Sequence, residues 1–214
     1  MKQSDRITLH EYYDSKLKTY GYDTRSLGWI PGARNVRLGA LTSIGDLDNS
    51  SVLDVGCGFG DLYGYMVKKG MTVSYTGVDI NPDFIEIAKQ VYPDARFMAA
   101  DFEEEDIGGN FDWIFAAGIF TIKISDNEAF IRNMLKKMFD VCDKGFAADF
   151  LSPIGYGTED KYWRCEPESI LAFCRKLSRR VTLRCDYMAG EFCVYVYKND
   201  ITDERNVFEG YDER

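Results

Sequence analysis

Apolar residues in this chain fall into short runs divided by polar, glycine-rich turns. The sharpest run is Val52-Leu53-Asp54-Val55, three apolar residues around one acid. Its length and β-branching predict a buried strand of a parallel sheet. Gly56, Gly58 and Gly60 follow at every second position, and Asp61 to Lys69 then has helical composition, ended by Gly70. The alternation repeats downstream. Strands are expected at Thr72 to Asp79, Ala95 to Ala99, Phe111 to Ala117 and Phe146 to Leu151. Helices are expected from Pro82 to about Tyr92, from a cap at Ser125 or Asp126 to about Cys142, and over Glu168 to Leu177. Val181 to Tyr187 and Phe192 to Tyr197 alternate as a hairpin around Gly190. Ahead of the first strand, residues 5–20 read as a helix with His10, Tyr13, Leu17 and Tyr20 on one face. A second helix is expected at about Asn35 to Ile44. Strands alternating with helices predict an α/β domain with a mostly parallel sheet.

The glycine loop narrows the chemistry. A strand, a glycine turn and a helix make a cradle for a nucleotide-sized ligand at the carboxyl end of the strand. A dinucleotide fingerprint, G-x-G-x-x-G, needs its last glycine at position 61, which is Asp61. The spacing is instead D-x-G-x-G-x-G, beginning at Asp54. This resembles the first motif of the class I S-adenosylmethionine (SAM) dependent methyltransferases. Three later stretches agree with it in order. GVDIN ends the second strand with Asp79, 19 residues past Gly60; Asp101-Phe102 follows the third strand; Gly118-Ile119-Phe120 follows the fourth. The resemblance is close over about residues 52–151 and loose elsewhere.

The resemblance implies a three-layer Rossmann-like fold, with a mostly parallel seven-stranded sheet and an antiparallel C-terminal hairpin strand. It implies SAM as cofactor and S-adenosyl-L-homocysteine as product. Asp54 and the loop Gly56, Cys57, Gly58 and Gly60 would embrace the amino-acid end of SAM. Asp79, beside Ile80, would take the ribose diol, a task that suits a carboxylate because it accepts two hydrogen bonds. Asp101 would take the adenine amino group, Phe102 would cover the ring, and Gly118 would lie under the methionine moiety. Residues 1–45 would form a helical lid, 46–198 the SAM-binding domain and 199–214 an acidic tail.

Composition trims the list of acceptors. The chain has 214 residues, 45% of them hydrophobic, which suits one α/β domain. Its net charge of −9 and the absence of a basic run argue against nucleic acid as substrate. A small acceptor is favoured, and the overall charge slightly favours a cationic one. Six cysteines form no C-x-x-C pair and there is one histidine, so no metal site is expected. The acidic run Glu103 to Asp106 reads as a solvated loop. No stretch reaches the roughly 18 apolar residues of a membrane span, and the N-terminus has no apolar signal core; a cytoplasmic protein is expected.

The acceptor is less legible. Methyl transfer from a sulfonium expels a neutral thioether, so alignment and desolvation can carry much of the catalysis. A base is needed only where the acceptor must first lose a proton. Candidates for it are His10, Tyr13 and Asp149. Tyr13, Trp29, Phe120, Tyr156 and Trp163 are candidates to line the acceptor site. One of Arg25, Arg34 and Arg37 is a candidate to clamp a carboxylate. The stretch AAGIF replaces the Asn/Asp-Pro-Pro-Tyr motif of amino-methylating DNA and protein-glutamine enzymes. The expected function is methyl transfer to a small molecule through an O, N, S or C atom. The alternatives are a protein or RNA methyltransferase, or a SAM-binding protein that is not an enzyme.

Overall fold

A computed structural model describes residues 1–29, 32–155 and 159–200. Helix α1 (Gln3–Tyr20) and a 3-10 turn (Thr24–Leu27) precede α2 (Ala33–Thr42). The core then runs β1 (Ser50–Val55), α3 (Asp61–Lys68), β2 (Val73–Asp79), α4 (Pro82–Val91), β3 (Arg96–Ala99) and β4 (Phe111–Ala116). It continues with α5 (Asn127–Val141), β5 (Cys142–Leu151), α6 (Pro167–Leu177), β6 (Val181–Arg184) and β7 (Glu191–Tyr197). The sheet order is β3-β2-β1-β4-β5-β7-β6. Strands β1 to β5 pair in parallel, and β7 lies antiparallel between β5 and β6. This is the expected seven-stranded Rossmann-like sheet.

Its two-sided core explains the continuous apolar runs. On β1, Leu53 and Val55 face the layer of α5 and α6, while Val52 faces the layer of α2, α3 and α4. On β4, Ile114 and Ala116 take the first side, and Trp113 and Phe115 the second. Both faces are covered, so both sets of alternate positions must be apolar.

Helix ends follow local chemistry. Asn81 caps α4 by accepting from the N–H groups of Asp83 and Phe84, with Pro82 opening the helix. Asp126 caps α5 by accepting from Ala129 N–H. Two strands differ from expectation. β5 begins at Cys142, directly at the end of α5, although Asp143, Lys144 and Gly145 look like a turn. Pairing decides this: Cys142 is in register with Phe111 on β4, and Gly145 with Tyr197 on β7. A Cβ at Gly145 would lie 2.5 Å from the Val196 carbonyl oxygen, so a glycine is needed for that close approach. β6 stops at Arg184, which pairs with Cys193, so Cys185 and Cys193 are not opposite one another. All six cysteines are free.

Helix α1 stands apart from the core. None of its residues is fully buried. It is held at the carboxyl edge of the sheet by polar contacts. Arg6 Nε donates to Asp101 Oδ2 at 2.7 Å, and its Nη2 reaches Glu104 at 2.9 Å and Glu103 at 3.3 Å. Asp5 accepts from Ser125 Oγ at 2.7 Å, and Asp14 accepts from Asn81 Nδ2 at 3.0 Å. The acidic run is therefore a docking point for α1, and Glu103 is not solvated. Arg6→Gln is expected to raise amide exchange throughout α1 roughly tenfold, on the scale of one lost charge-assisted contact, with the core strands unchanged. Unaltered α1 protection in that variant would show that packing, and not this latch, holds the helix.

Candidate active site

A cleft of about 530 Å³ opens at the carboxyl ends of β1, β2, β4 and β5, where open α/β sheets place ligands. Its volume falls in the ordinary range for a small-molecule site. Helix α1 forms part of its wall through Leu9, His10, Tyr12 and Tyr13.

The floor is the loop after β1. Gly56 and Gly58 both have positive φ, +73° and +53°, a backbone that L side chains rarely adopt. Space is also exhausted there. A Cβ on Gly56 would run into Cγ2 of Ile119, and one on Gly58 would lie 2.8 Å from Leu27 Cδ2. Gly56→Ala is therefore expected to cost roughly 2–4 kcal/mol, from left-handed strain and overpacking together, read as a fall in urea midpoint. A stability equal to wild type would mean that this loop is not held against Ile119. Gly60 does not face the cleft; its α-carbon packs against Tyr92 and Phe97 at the start of α3.

Two acids flank the loop, Asp54 buried and Asp79 half-buried. Asp79 Oδ2 accepts from Gly58 N–H and Oδ1 from Asn81 N–H, each at 2.9 Å. Burial raises the Asp79 carboxyl above its usual range, against the pull of these two donors. Asp54 Oδ2 accepts from the Tyr75 hydroxyl at 2.6 Å, while its Oδ1 is buried without a hydrogen-bond partner and belongs to a residue of the cleft wall. Burial pushes the Asp54 carboxyl up to about 7; the Tyr75 hydrogen bond opposes this, and Asp79 and Asp61 add to it.

The remaining expected residues divide. Cys57, Ile80, Asp101, Phe102, Gly118, His10, Tyr13 and Trp29 all line the same cleft. Phe120 is 1% exposed and is stacked on Phe150 at 5.1 Å, inside the core. Trp163 packs against that core and is absent from the cleft wall. Tyr156 lies outside the described residues. Asp149 sits behind the wall, where it accepts from Gly118 N–H at 2.6 Å. Burial raises its carboxyl to about 6, with Arg37 pulling the other way. The three arginines each meet an acid. Arg25 pairs with Asp23 at 2.9 Å, Arg34 with Asp61 at 2.6 Å, and Arg37 with Asp149 at 3.0 Å and also with Glu191.

The family model for a methyltransferase domain matches residues 52–145, the segment that carries these acids and glycines. Rv1506c of Mycobacterium tuberculosis (strain ATCC 25618 / H37Rv), provisionally named as a methyltransferase, is 28% identical over 158 residues, covering 71% of this chain and 95% of that protein. Residues 52–145 thus form a methyltransferase domain, and the chain has the fold of SAM-dependent methyltransferases. Its cofactor is SAM. Trans-aconitate 2-methyltransferase of Enterobacter sp. (strain 638) is 36% identical over 75 residues, but that match covers 34% of this methyltransferase and 30% of the relative. Two solved structures share the fold. Magnesium protoporphyrin IX methyltransferase from Synechocystis PCC 6803 with bound SAM superposes with a TM-score of 0.63 at 16% identity, covering 90% of this chain and 96% of that one. A SAM-dependent methyltransferase from Clostridium acetobutylicum ATCC 824 gives 0.60 at 12% identity, covering 86% and 98%.

The cleft also contains residues that do not stand out in the sequence. Glu191, Ser152 and Gly190 join the wall from β7 and the ends of β5, and Thr121, Glu159 and Arg164 from the loops. Glu191 did carry a signal. It is the one charged residue in the otherwise apolar strand EFCVYVY, and it is 7% exposed. A lone acid in such a strand has a partner, and here it is Arg37, 154 residues earlier. Among the described residues no cluster could hold a metal ion, and no helix is long and apolar enough to cross a membrane.

Proposed function

We propose that this enzyme methylates a small molecule held in the cleft between the glycine loop and helix α1. The observation that carries this is the cleft itself, half-roofed by α1 and walled by Tyr12, Tyr13, Trp29 and Tyr162. A neighbouring depression on α1 is lined by four acids, Glu11, Asp14, Asp101 and Glu104, against one arginine, Arg6, an excess that would repel a phosphate backbone. One sequence relative is named for trans-aconitate and one structural neighbour for magnesium protoporphyrin IX; both are small molecules.

The residues fit SAM. The unpartnered Asp54 Oδ1 would take the cofactor's ammonium, and the glycine loop would allow close backbone approach. Asp79 would hold the ribose diol with the lone pairs that its two backbone donors leave free. Asp101 and Phe102 would meet the adenine, and Gly118 the methionine moiety. When bound, SAM supplies an electrophilic methyl group on a positively charged sulfur. The chain's own work is to orient the acceptor, to exclude water under α1, and to take a proton where the acceptor has one to lose. Residues 1–45 act in this reading as the lid. His10 Nδ1 lies 3.9 Å from Asp14 Oδ1 and borders the cleft; Tyr13, packed edge-on against Phe84, is held away from ionisation by burial. Tyr13 therefore shapes the wall and does not serve as a base.

The test is isothermal titration with SAM, S-adenosylhomocysteine and NAD, followed by labelled methyl transfer to small molecules, protein and RNA. Binding of both sulfur compounds but not NAD, with label in small acceptors, is expected. Label entering RNA or protein alone would overturn the acceptor class.

A further inference from the structure

Where the cleft passes from Gly118 toward β5 and β7, one buried guanidinium meets two buried carboxylates. Arg37 Nε donates to Glu191 Oε2 at 2.8 Å, and Nη2 to Oε1 of the same carboxylate. Arg37 Nε also stands 3.0 Å from Asp149 Oδ2. Asp149 and Glu191 are 2% and 7% exposed. The Arg37 guanidinium lies over Trp29 at 4.3 Å. Arg37, Trp29, Gly118 and Glu191 all form cleft wall, and Asp149 is directly behind Gly118. With both acids ionised, this cluster carries one negative charge more than positive, and water cannot screen it well.

From this arrangement we infer that the methyl acceptor is an amine, bound as a cation beside Glu191 and Trp29. The inference rests on the small-molecule reading above. Three observations bear on it. First, the excess charge of the cluster is negative, so a cationic guest completes it. An acceptor carboxylate would instead be the third acid on one guanidinium. Second, Trp29, Tyr12 and Tyr162 line the cleft, and each ring already holds a cation of this chain, Arg37, Lys16 and Lys161, so the wall is of a kind that attracts cations. Third, the chain as a whole carries −9, which draws cations toward it. This sets the enzyme apart from its relative named for trans-aconitate, whose acceptor is an acid.

The chemistry balances. An ammonium has no lone pair to share, so one N–H bond must break before attack. The proton passes to the Glu191–Asp149 pair and from there to solvent. The freed nitrogen lone pair forms the new C–N bond, and the electrons of the broken C–S bond stay on sulfur. Glu191 both binds the cation and takes part in accepting its proton in this scheme, and Arg37 is a positioning residue that fixes both carboxylates.

The experiment is calorimetry on the enzyme saturated with S-adenosylhomocysteine, using alkyl and aryl amines and carboxylic acids matched in size. Binding of amines and not of acids is expected, and labelled SAM should then place the methyl group on nitrogen. Glu191→Gln, which keeps the shape, should weaken amine binding at least tenfold and also lower kcat, with the kcat deficit shrinking as pH rises and the amine arrives deprotonated. Its affinity for S-adenosylhomocysteine should be unchanged. Preference for acids, binding of neither class, or amine affinity that ignores the Glu191→Gln change would each overturn the inference. The amine and acid panel on the wild-type enzyme decides the matter even if the variant does not fold. Failure of S-adenosylhomocysteine itself to bind would strike at the cofactor reading instead, so the two failures are distinguishable.

Discussion

Replacing Asp54 with Asn is expected to stabilise the unliganded protein at about pH 8 while weakening SAM binding. The sign follows from the carboxyl's displacement to about 7, against about 3.9 in an unfolded chain. The folded protein keeps this proton to higher pH than the unfolded chain does. The resulting stability is complete below about pH 4, declines as pH rises, and is lost by about pH 7. Above that, a buried carboxylate with one unpartnered oxygen must be ionised, at a cost of order 2–4 kcal/mol. Asn carries no such cost and still accepts from Tyr75. Urea denaturation near pH 5 and near pH 8 should show the variant gaining on wild type as pH rises. Saturating SAM should reverse the order, because the wild-type acid then has its cation. A variant that is less stable than wild type at both pH values, with normal SAM affinity, would mean that Asp54 is a structural residue and not the ammonium site.

The neighbouring acid should behave in the opposite way. Asp79→Asn is expected to destabilise the protein by about 1–3 kcal/mol and to weaken SAM binding by about 1–3 kcal/mol, roughly fivefold to 150-fold. Asp79 gives one oxygen to Gly58 N–H and the other to Asn81 N–H. An amide offers only one acceptor, so its NH2 must face one of those donors. One loop then loses its tether: either the glycine loop or the turn that caps α4. Amide resonances of Gly58 and Asn81 report which, and calorimetry gives the loss of affinity. Unchanged SAM affinity in a folded Asp79→Asn protein would remove Asp79 from the ribose role. Two acids of one cleft, both raised by burial, thus separate by their partners: Asp54 has a free oxygen and Asp79 has none without a donor.

The strands and the glycine loop were legible because their causes are local. A strand buried on both faces must be apolar at nearly every position, and Val52 to Val55 is so except for Asp54. That single exception is also the chemistry. The helix starts at Pro82 and at Ser125 or Asp126 could be read because capping and first-turn signals span only a few residues; the structure decides for Asp126 and adds Asn81 as the cap before Pro82. Strand β5 was read four residues short, since Cys142 to Gly145 form strand through neighbours far away in the chain. The core aromatics Phe120 and Trp163 were read as acceptor wall because a ring in a loop looks the same whether it turns inward or toward a ligand.

The amino-acid order alone determined the alternation of strands and helices, the glycine turn and the acids at the strand ends. Each of these depends on backbone sterics or on hydrophobic period within a few residues. Tertiary structure alone decided which charges meet. Arg6 finds Asp101 and Glu104, and Arg37 finds Asp149 and Glu191, across separations of 95 to 154 residues. Ion pairs have no sequence period, and a buried charge declares itself only when the fold removes its water.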